Sequence, residues 1–189
     1  MDGIIIINKP KGCTSHDIVY KVKKTCGEKV GHTGTLDPNA TGVLPILIGT
    51  GTKLSKYLID HDKKYLATIK IGIKTSTGDN EGEITEKKAV PILNEQTIQK
   101  ALEKFIGKQT QTPPIYSAIK VKGKKLYEYA RKGEQVQIPS REITIYSISL
   151  IKINTDELQI EVECSKGTYI RTLCEDISNE LGTVGYMKE

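Results

Sequence analysis

Two stretches of strict alternation limit what this chain can fold into more than any other feature. In residues 158–164, Leu158, Ile160, Val162 and Cys164 alternate with Gln159, Glu161 and Glu163. In residues 63–74, Tyr65, Ala67, Ile69, Ile71 and Ile73 share one side, and Leu66, Thr68, Lys70, Gly72 and Lys74 the other. Side chains on a strand point to opposite faces in turn, so each pattern predicts a strand with one buried face. One-sided burial is the habit of antiparallel sheets. Residues 141–153 and 158–164 are expected to form a hairpin around Asn154, Thr155 and Asp156.

Helices are expected between the strands. Ile18, Val19 and Val22 give a helical stripe that Ser15 can cap and Gly27 can end. Lys21, Lys23 and Lys24 lie off that stripe, and lysines at a helix end suit the dipole without any bound partner. Asn94 caps a second helix over 95–106, with Ile98, Leu102, Phe105 and Ile106 inward and Gly107 at its end. Thr168 is the expected cap of a third, striped by Ile170, Leu173, Cys174, Ile177 and Leu181 and stopped by Gly182. Short strands are expected over 3–8 and 43–49, and the final TVGYMKE is read as completing no element. The fold class is α+β: a mixed, mainly antiparallel sheet flanked by helices.

Residues 31–42, GHTGTLDPNATG, fit no regular element. Three glycines and Pro38 break the run, and a long irregular connection in a compact chain is more often functional or disordered than idle. It carries one imidazole, His32, and one carboxylate, Asp37. Asp37 precedes a proline, which pushes its backbone toward an extended form. It is read either as a turn residue or as a displayed catalytic acid. Tyr65, at the entering end of its strand, is either a core edge with a bonded hydroxyl or a cleft wall. Arg171 falls in the first turn of its helix, where a cation opposes the dipole unless something acidic faces it. A carboxylate, a phosphate or water would serve.

Several other readings fail on spacing. The 46–54 stretch ILIGTGTKL lacks both the Walker spacing and the third glycine of a dinucleotide loop, so no nucleotide cofactor is expected. Asp79, Glu81 and Glu83 resemble half a calcium loop without its terminal glutamate. Four cysteines and three histidines offer no zinc spacing, and the cysteines are read as reduced. The run at 4–7 is too short for a signal peptide, and nothing approaches the ~18 apolar residues of a membrane span. A cytoplasmic, soluble monomer with neither metal nor organic cofactor is the expectation. At 189 residues and net charge +5, the chain suffices for one well-buried domain or two small ones and leans mildly toward a polyanionic partner. Lys120, Lys122, Lys124 and Lys125 beside Tyr116 and Tyr127 suit a nucleic-acid backbone, or equally a solvated hairpin.

Long segments in order carry a resemblance. NKPKGCTSHDIVYKVKK, GHTGTLDPNATGVLPI, KKYLATIKIG, TSTGDNEG, PPIYSAIKVKGKKLYEYARKG and CSKGTYIRTLCEDISNELG are together similar to the tRNA pseudouridine synthases of the bacterial TruB type. The resemblance covers nearly the whole chain. It implies isomerisation of a uridine in the tRNA T arm, across a catalytic cleft, after the base is flipped out. It implies Asp37 as the catalytic aspartate, Tyr65 as the tyrosine beside the target base, and Arg171 as the cation paired with the aspartate. His32 and Tyr169 match positions that contact RNA or the target nucleotide. Asn39 stands where a leucine is expected, and Asn8 where aspartate is common.

The family continues past Glu189 through the rest of the catalytic domain and into a PUA-class RNA-binding domain. Residues 1–189 are therefore expected to be one catalytic domain, incomplete at its C-terminal end. Two alternatives stand beside the enzyme: an RNA-binding or tRNA-folding module without catalysis, and a guide-directed relative working in a ribonucleoprotein.

Overall fold

The computed structural model describes residues 1–189. The chain divides into two units, Met1–His61 and Asp62–Glu189.

In the first unit, β1 (Gly3–Lys9), α1 (Ser15–Cys26), β2 (Val30–His32) and β3 (Gly42–Ile48) are followed by a 3-10 turn (Gly49–Leu54) and the short α2 (Ser55–Leu58). The sheet order is β1-β3-β2, antiparallel throughout. Alternation on β3 sends Leu44, Ile46 and Ile48 to one face, where Ile18 and Val19 of α1 seal them from water. Thr14, not Ser15, caps α1. Its side chain takes the Asp17 N–H at 3.0 Å while Asp17 takes the Thr14 N–H at 2.8 Å. Ser15 is free for another task, described below. Gly27 ends the helix at φ 70°, as its position suggests.

Pro45 sets where the irregular loop begins. The β2–β3 ladder runs only to His32↔Ile46. The next residue of β3 has no N–H to give, and its carbonyl accepts from Thr33 N at 3.3 Å. Pairing stops there. The loop is thus shorter than 31–42: Gly31 and His32 belong to β2, and Gly42 opens β3.

The second unit holds β4 (Lys63–Ile71), β5 (Ile73–Thr75), β6 (Ile84–Lys87), α3 (Glu95–Glu103), β7 (Gly107–Gln111), β8 (Lys120–Val121), β9 (Lys124–Lys125), α4 (Leu126–Lys132), β10 (Arg141–Ile153), β11 (Glu157–Cys164), α5 (Ile170–Glu180) and β12 (Gly185–Met187). Five strands form an antiparallel sheet in the order β12-β4-β11-β10-β7. Its buried face carries Ala67, Ile69 and Ile71 of β4 beside Leu158, Ile160, Val162 and Cys164 of β11. Ile98 and Leu102 of α3 and Leu173, Cys174 and Ile177 of α5 cover them. The alternation on β11 and the hairpin turn are as expected. The fold class holds: an α+β chain whose mainly antiparallel sheets are flanked by helices.

Several boundaries differ from expectation. The single strand over 63–74 breaks at Gly72, which sits at φ 88°; Ile73 starts a separate ribbon with β6. The 95–106 helix ends at Glu103, capped as expected by Asn94, whose Oδ1 takes the Thr97 N–H at 2.8 Å. Thr168 does not cap α5: its hydroxyl donates to Ser165 O at 2.9 Å, and Tyr169 stands at the cap with no side-chain bond of its own. The final segment forms β12. Its ladder with β4 is short, but Gly185 passes so close to α5 that an added Cβ would lie 2.1 Å from Ser178 Oγ. The four cysteines are free thiols. No helix is long and apolar enough to cross a membrane.

Candidate active site

The first unit presents Asp37 from a loop fastened on three sides. Lys9, at the end of β1, is fully buried. Its ammonium donates to the carbonyls of Pro10 at 2.9 Å, Cys13 at 2.7 Å and Pro38 at 3.1 Å. Three acceptors meet the three donors of the ammonium, which is how a lysine is tolerated inside. The Pro38 carbonyl also takes the Gly12 N–H at 2.9 Å. On the other flank, Ser15 Oγ accepts from Leu36 N at 3.0 Å and donates to Leu36 O at 3.3 Å. The Leu36 side chain packs on the α1–β3 core. Both neighbours of Asp37 are therefore held, and its own carbonyl takes the Ala40 N–H at 3.0 Å. The side chain between them is half-buried. His32, at the start of the loop, keeps a buried Nδ1 that makes no hydrogen bond. A buried imidazole nitrogen without a partner is costly, and is common where a ligand supplies the missing group.

The second unit carries Tyr65, Tyr169 and Arg171. Tyr65 lies on β4 opposite Val162 and points to the same face as Ala67 and Ile69, half-buried at the margin of the core. Arg171, in the first turn of α5, is 8% exposed. Its Nη1 donates to Asp79 Oδ2 at 3.2 Å and to Thr77 O at 3.3 Å, and its Nη2 to Tyr116 O at 2.9 Å. Of the carboxylate, phosphate or water that could face a cation at this helix end, the structure places a carboxylate, Asp79. It is itself fixed, because Thr77 Oγ1 and Glu81 N–H both donate to Oδ1 and Thr75 Oγ1 donates to its backbone carbonyl. A planar guanidinium held by acceptors from two loops cannot rotate, so its charge has a fixed direction.

One turn further, Glu175 packs against Gly78, where an added Cβ would lie 3.1 Å from Oε1. Burial pushes its carboxyl above the usual range, opposed by the charges of Lys74 and Arg171. Burial does the same to Asp176.

His32 and Asp37 thus sit in the first unit, and Tyr65, Tyr169 and Arg171 in the second. Within the second unit Tyr169 and Arg171 share the start of α5. Sequence reasoning missed Lys9, Asp79 and Gln111. A lysine between asparagine and proline reads as solvated, and nothing local announces that its ammonium turns inward. Asp79 was legible only as an incomplete calcium loop, although threonine two residues before an aspartate is a usable sign of a side chain held in place.

Residues 20–170 match the model of the TruB family pseudouridylate synthases, N-terminal domain. The chain is 50% identical over 189 residues to a tRNA pseudouridine synthase B of Caldanaerobacter subterraneus subsp. tengcongensis, covering 99% of this chain and 66% of that one. It is 53% identical over 188 residues to the protein of that name from Alkaliphilus oremlandii, covering 99% and 62%. It spans just under two thirds of the length of these relatives. Among solved structures, a Cbf5-Nop10-Gar1 complex matches 99% of this chain and 46% of that chain, with TM-score 0.76 and 30% identity. An H/ACA RNP bound to a substrate RNA containing 2'-deoxyuridine matches 99% and 45%, with TM-score 0.72 and 28% identity. A family model over most of the chain, a matching architecture and relatives at half identity agree: the chain belongs to the TruB family of pseudouridylate synthases.

Proposed function

We propose that this chain carries the catalytic part of a cytoplasmic, monomeric tRNA pseudouridine synthase that isomerises a uridine of the T arm. The observation that carries the reading is the placement of Asp37, whose carboxylate is presented by a loop with both flanks tied down. Pre-organisation of this kind is what a group acting on a bound sugar or base requires.

The reaction breaks N1–C1′ and forms C5–C1′. The proton on C5 leaves and N1 gains one, so no atom is lost and no redox partner is needed. Asp37 is the carboxylate that attacks or stabilises the detached fragment, as paired acids do in glycosidases. Arg171 is the cation that the family resemblance pairs with this aspartate. Tyr65 stacks on the target base and assists proton transfer. Tyr169 contacts the target nucleotide. The base must leave its stack at a cost of about a few kcal/mol, and His32 fills the vacated space. Its unpartnered Nδ1 supports a role completed by RNA. The fold of the RNA and its phosphates supply the rest of recognition, with Lys120 and Lys124 at the basic hairpin as contacts.

Identity favours a stand-alone enzyme over a guide-directed one, since the tRNA synthases match at 50% and 53% and the Cbf5 complex at 30%. The test is release of tritium from C5 of labelled uridines in an unmodified T-arm stem-loop, with no guide RNA added. Stoichiometric release from one site supports the reading. Binding and refolding of the RNA without release would favour the non-catalytic module.

A further inference from the structure

We propose that Gln111 is a positioning residue for the start of α5, setting the aim of Tyr169 and, through it, of Arg171. This rests on the function proposed above and adds a residue to which that account gives no part.

Gln111 is the last residue of β7 and is 5% exposed. Its amide pairs with the backbone of one residue far along the chain: Oε1 accepts from Tyr169 N at 2.8 Å, and Nε2 donates to Tyr169 O at 3.1 Å. The amide orientation follows from the pairing, since only this one matches donor to acceptor at both atoms. A single hydrogen bond is a pivot, whereas two from one planar group to one residue fix its rotation. Tyr169 stands at the N-terminal cap of α5 in an extended conformation, φ −97° and ψ 108°, with no side-chain cap of its own. Its carbonyl already receives the Leu173 N–H at 3.1 Å, the first turn of the helix. Gln111 therefore grips the junction where irregular chain becomes helix, between the Tyr169 ring and the Arg171 guanidinium two residues on.

The same connecting segment grips Arg171 independently. Five residues after Gln111, the Tyr116 carbonyl accepts from Arg171 Nη2 at 2.9 Å. Segment 111–116 thus holds one proposed site residue by its backbone and the other by its side chain. Its two prolines, Pro113 and Pro114, lower its freedom to give way. A shift of β7 or of this segment would move both residues together.

Glutamic acid at this position makes the role testable. Ionised, it still accepts the Tyr169 N–H but turns a second acceptor toward the Tyr169 carbonyl. Protonated, it has the donor and acceptor of glutamine. Single-turnover pseudouridine formation and tRNA binding are measured for wild type and Gln111→Glu across a pH series. Gln111→Glu is expected to be slower by roughly tenfold to a hundredfold in mild alkali. Its tRNA affinity should stay unchanged, and the deficit should close as pH falls, a limb absent from wild type. Gln111→Met, apolar and similar in length, carries the test if the acid variant does not fold; it should be slow at every pH. In that variant the Tyr169 amide proton is expected to exchange at least about tenfold faster, a readout that needs no activity. Wild-type rates in both variants, a deficit wholly in tRNA affinity, or a Gln111→Glu deficit that ignores pH would overturn the proposal. So would unchanged exchange at Tyr169. If wild type forms no pseudouridine, the functional reading fails, and the exchange measurement alone decides for or against the grip of Gln111.

Discussion

Asp79 and Arg171, 92 residues apart in sequence, form an ion pair of 3.2 Å with side chains only 15% and 9% exposed. A pair this sheltered costs desolvation energy to make, and costs more to break from one side only. The carboxylate faces the first turn of α5, where a lone cation would otherwise meet the positive end of the helix. Its geometry is set by Thr77, Glu81 and Thr75.

Removing the carboxylate should therefore leave the buried Arg171 charge without its Asp79 counter-ion, held on this side only by the Thr77 and Tyr116 carbonyls. Asp79→Ala is expected to lower stability by roughly 3 kcal/mol, read by urea denaturation. Pseudouridine formation in the folded fraction should fall by about a hundredfold, since the guanidinium loses an acceptor that fixes its direction. Asp79→Asn keeps one acceptor and should lie between.

Lys9 makes a parallel case in the first unit. Lys9→Met keeps the apolar stem and strips the donor from three carbonyls. A loss of about 2 kcal/mol is expected, together with faster amide exchange at Gly12, whose N–H shares the Pro38 carbonyl. Arginine at this position, with a wider head than the cage between Pro10, Cys13 and Pro38, should not restore it.

Gly185 is a steric prediction. A methyl group there would lie 2.1 Å from Ser178 Oγ and 2.8 Å from Lys70 O, and the second of these is backbone of the adjacent strand. Gly185→Ala should cost about 3 kcal/mol, detected as a lowered Tm. Pairing the change with Ser178→Ala should recover only part of it.

Asp176 predicts a pH dependence. Burial raises its carboxyl above the ordinary value, so the folded state binds the proton more tightly than the unfolded chain. Stability from this group is then greatest when it is protonated. It falls as pH rises from the unfolded carboxylate pKa through the raised folded value, and is level above that. Asp176→Asn should flatten this part of the curve and be more stable than wild type at neutral pH. The difference should shrink toward acid. Equilibrium unfolding across the acid range checks the sign.

How far the sequence reached can be seen in particular residues. Leu158, Ile160, Val162 and Cys164 announced β11 because one-sided burial leaves a period of two. Asn94 announced α3 because a cap is a local bond. β7 and β12 gave no such sign. GKQTQ has no apolar alternation, and its place is fixed by pairing with β10 across the sheet; GYM is three residues held by a glycine contact with α5. β2 and β6 are similarly short, and each forms only by pairing with the neighbouring strand. Among the proposed functional residues, Asp37, His32, Tyr65, Tyr169 and Arg171 were nameable from motif and resemblance. The residues that hold them were not. Lys9, Asp79 and Gln111 act through bonds spanning 29, 92 and 58 positions, and no window of local sequence contains both ends.

The central claim is that Asp37 performs the chemistry. Asp37→Asn keeps the size and the backbone of the loop while removing the charge. Pseudouridine formation on an unmodified T-arm stem-loop, measured in a single turnover beside the dissociation constant for the same RNA, tests it most directly. The account predicts no detectable product with tRNA affinity within about threefold of wild type, well under the tenfold that 1.4 kcal/mol represents. Product formed by Asp37→Asn at a rate near that of wild type would contradict it.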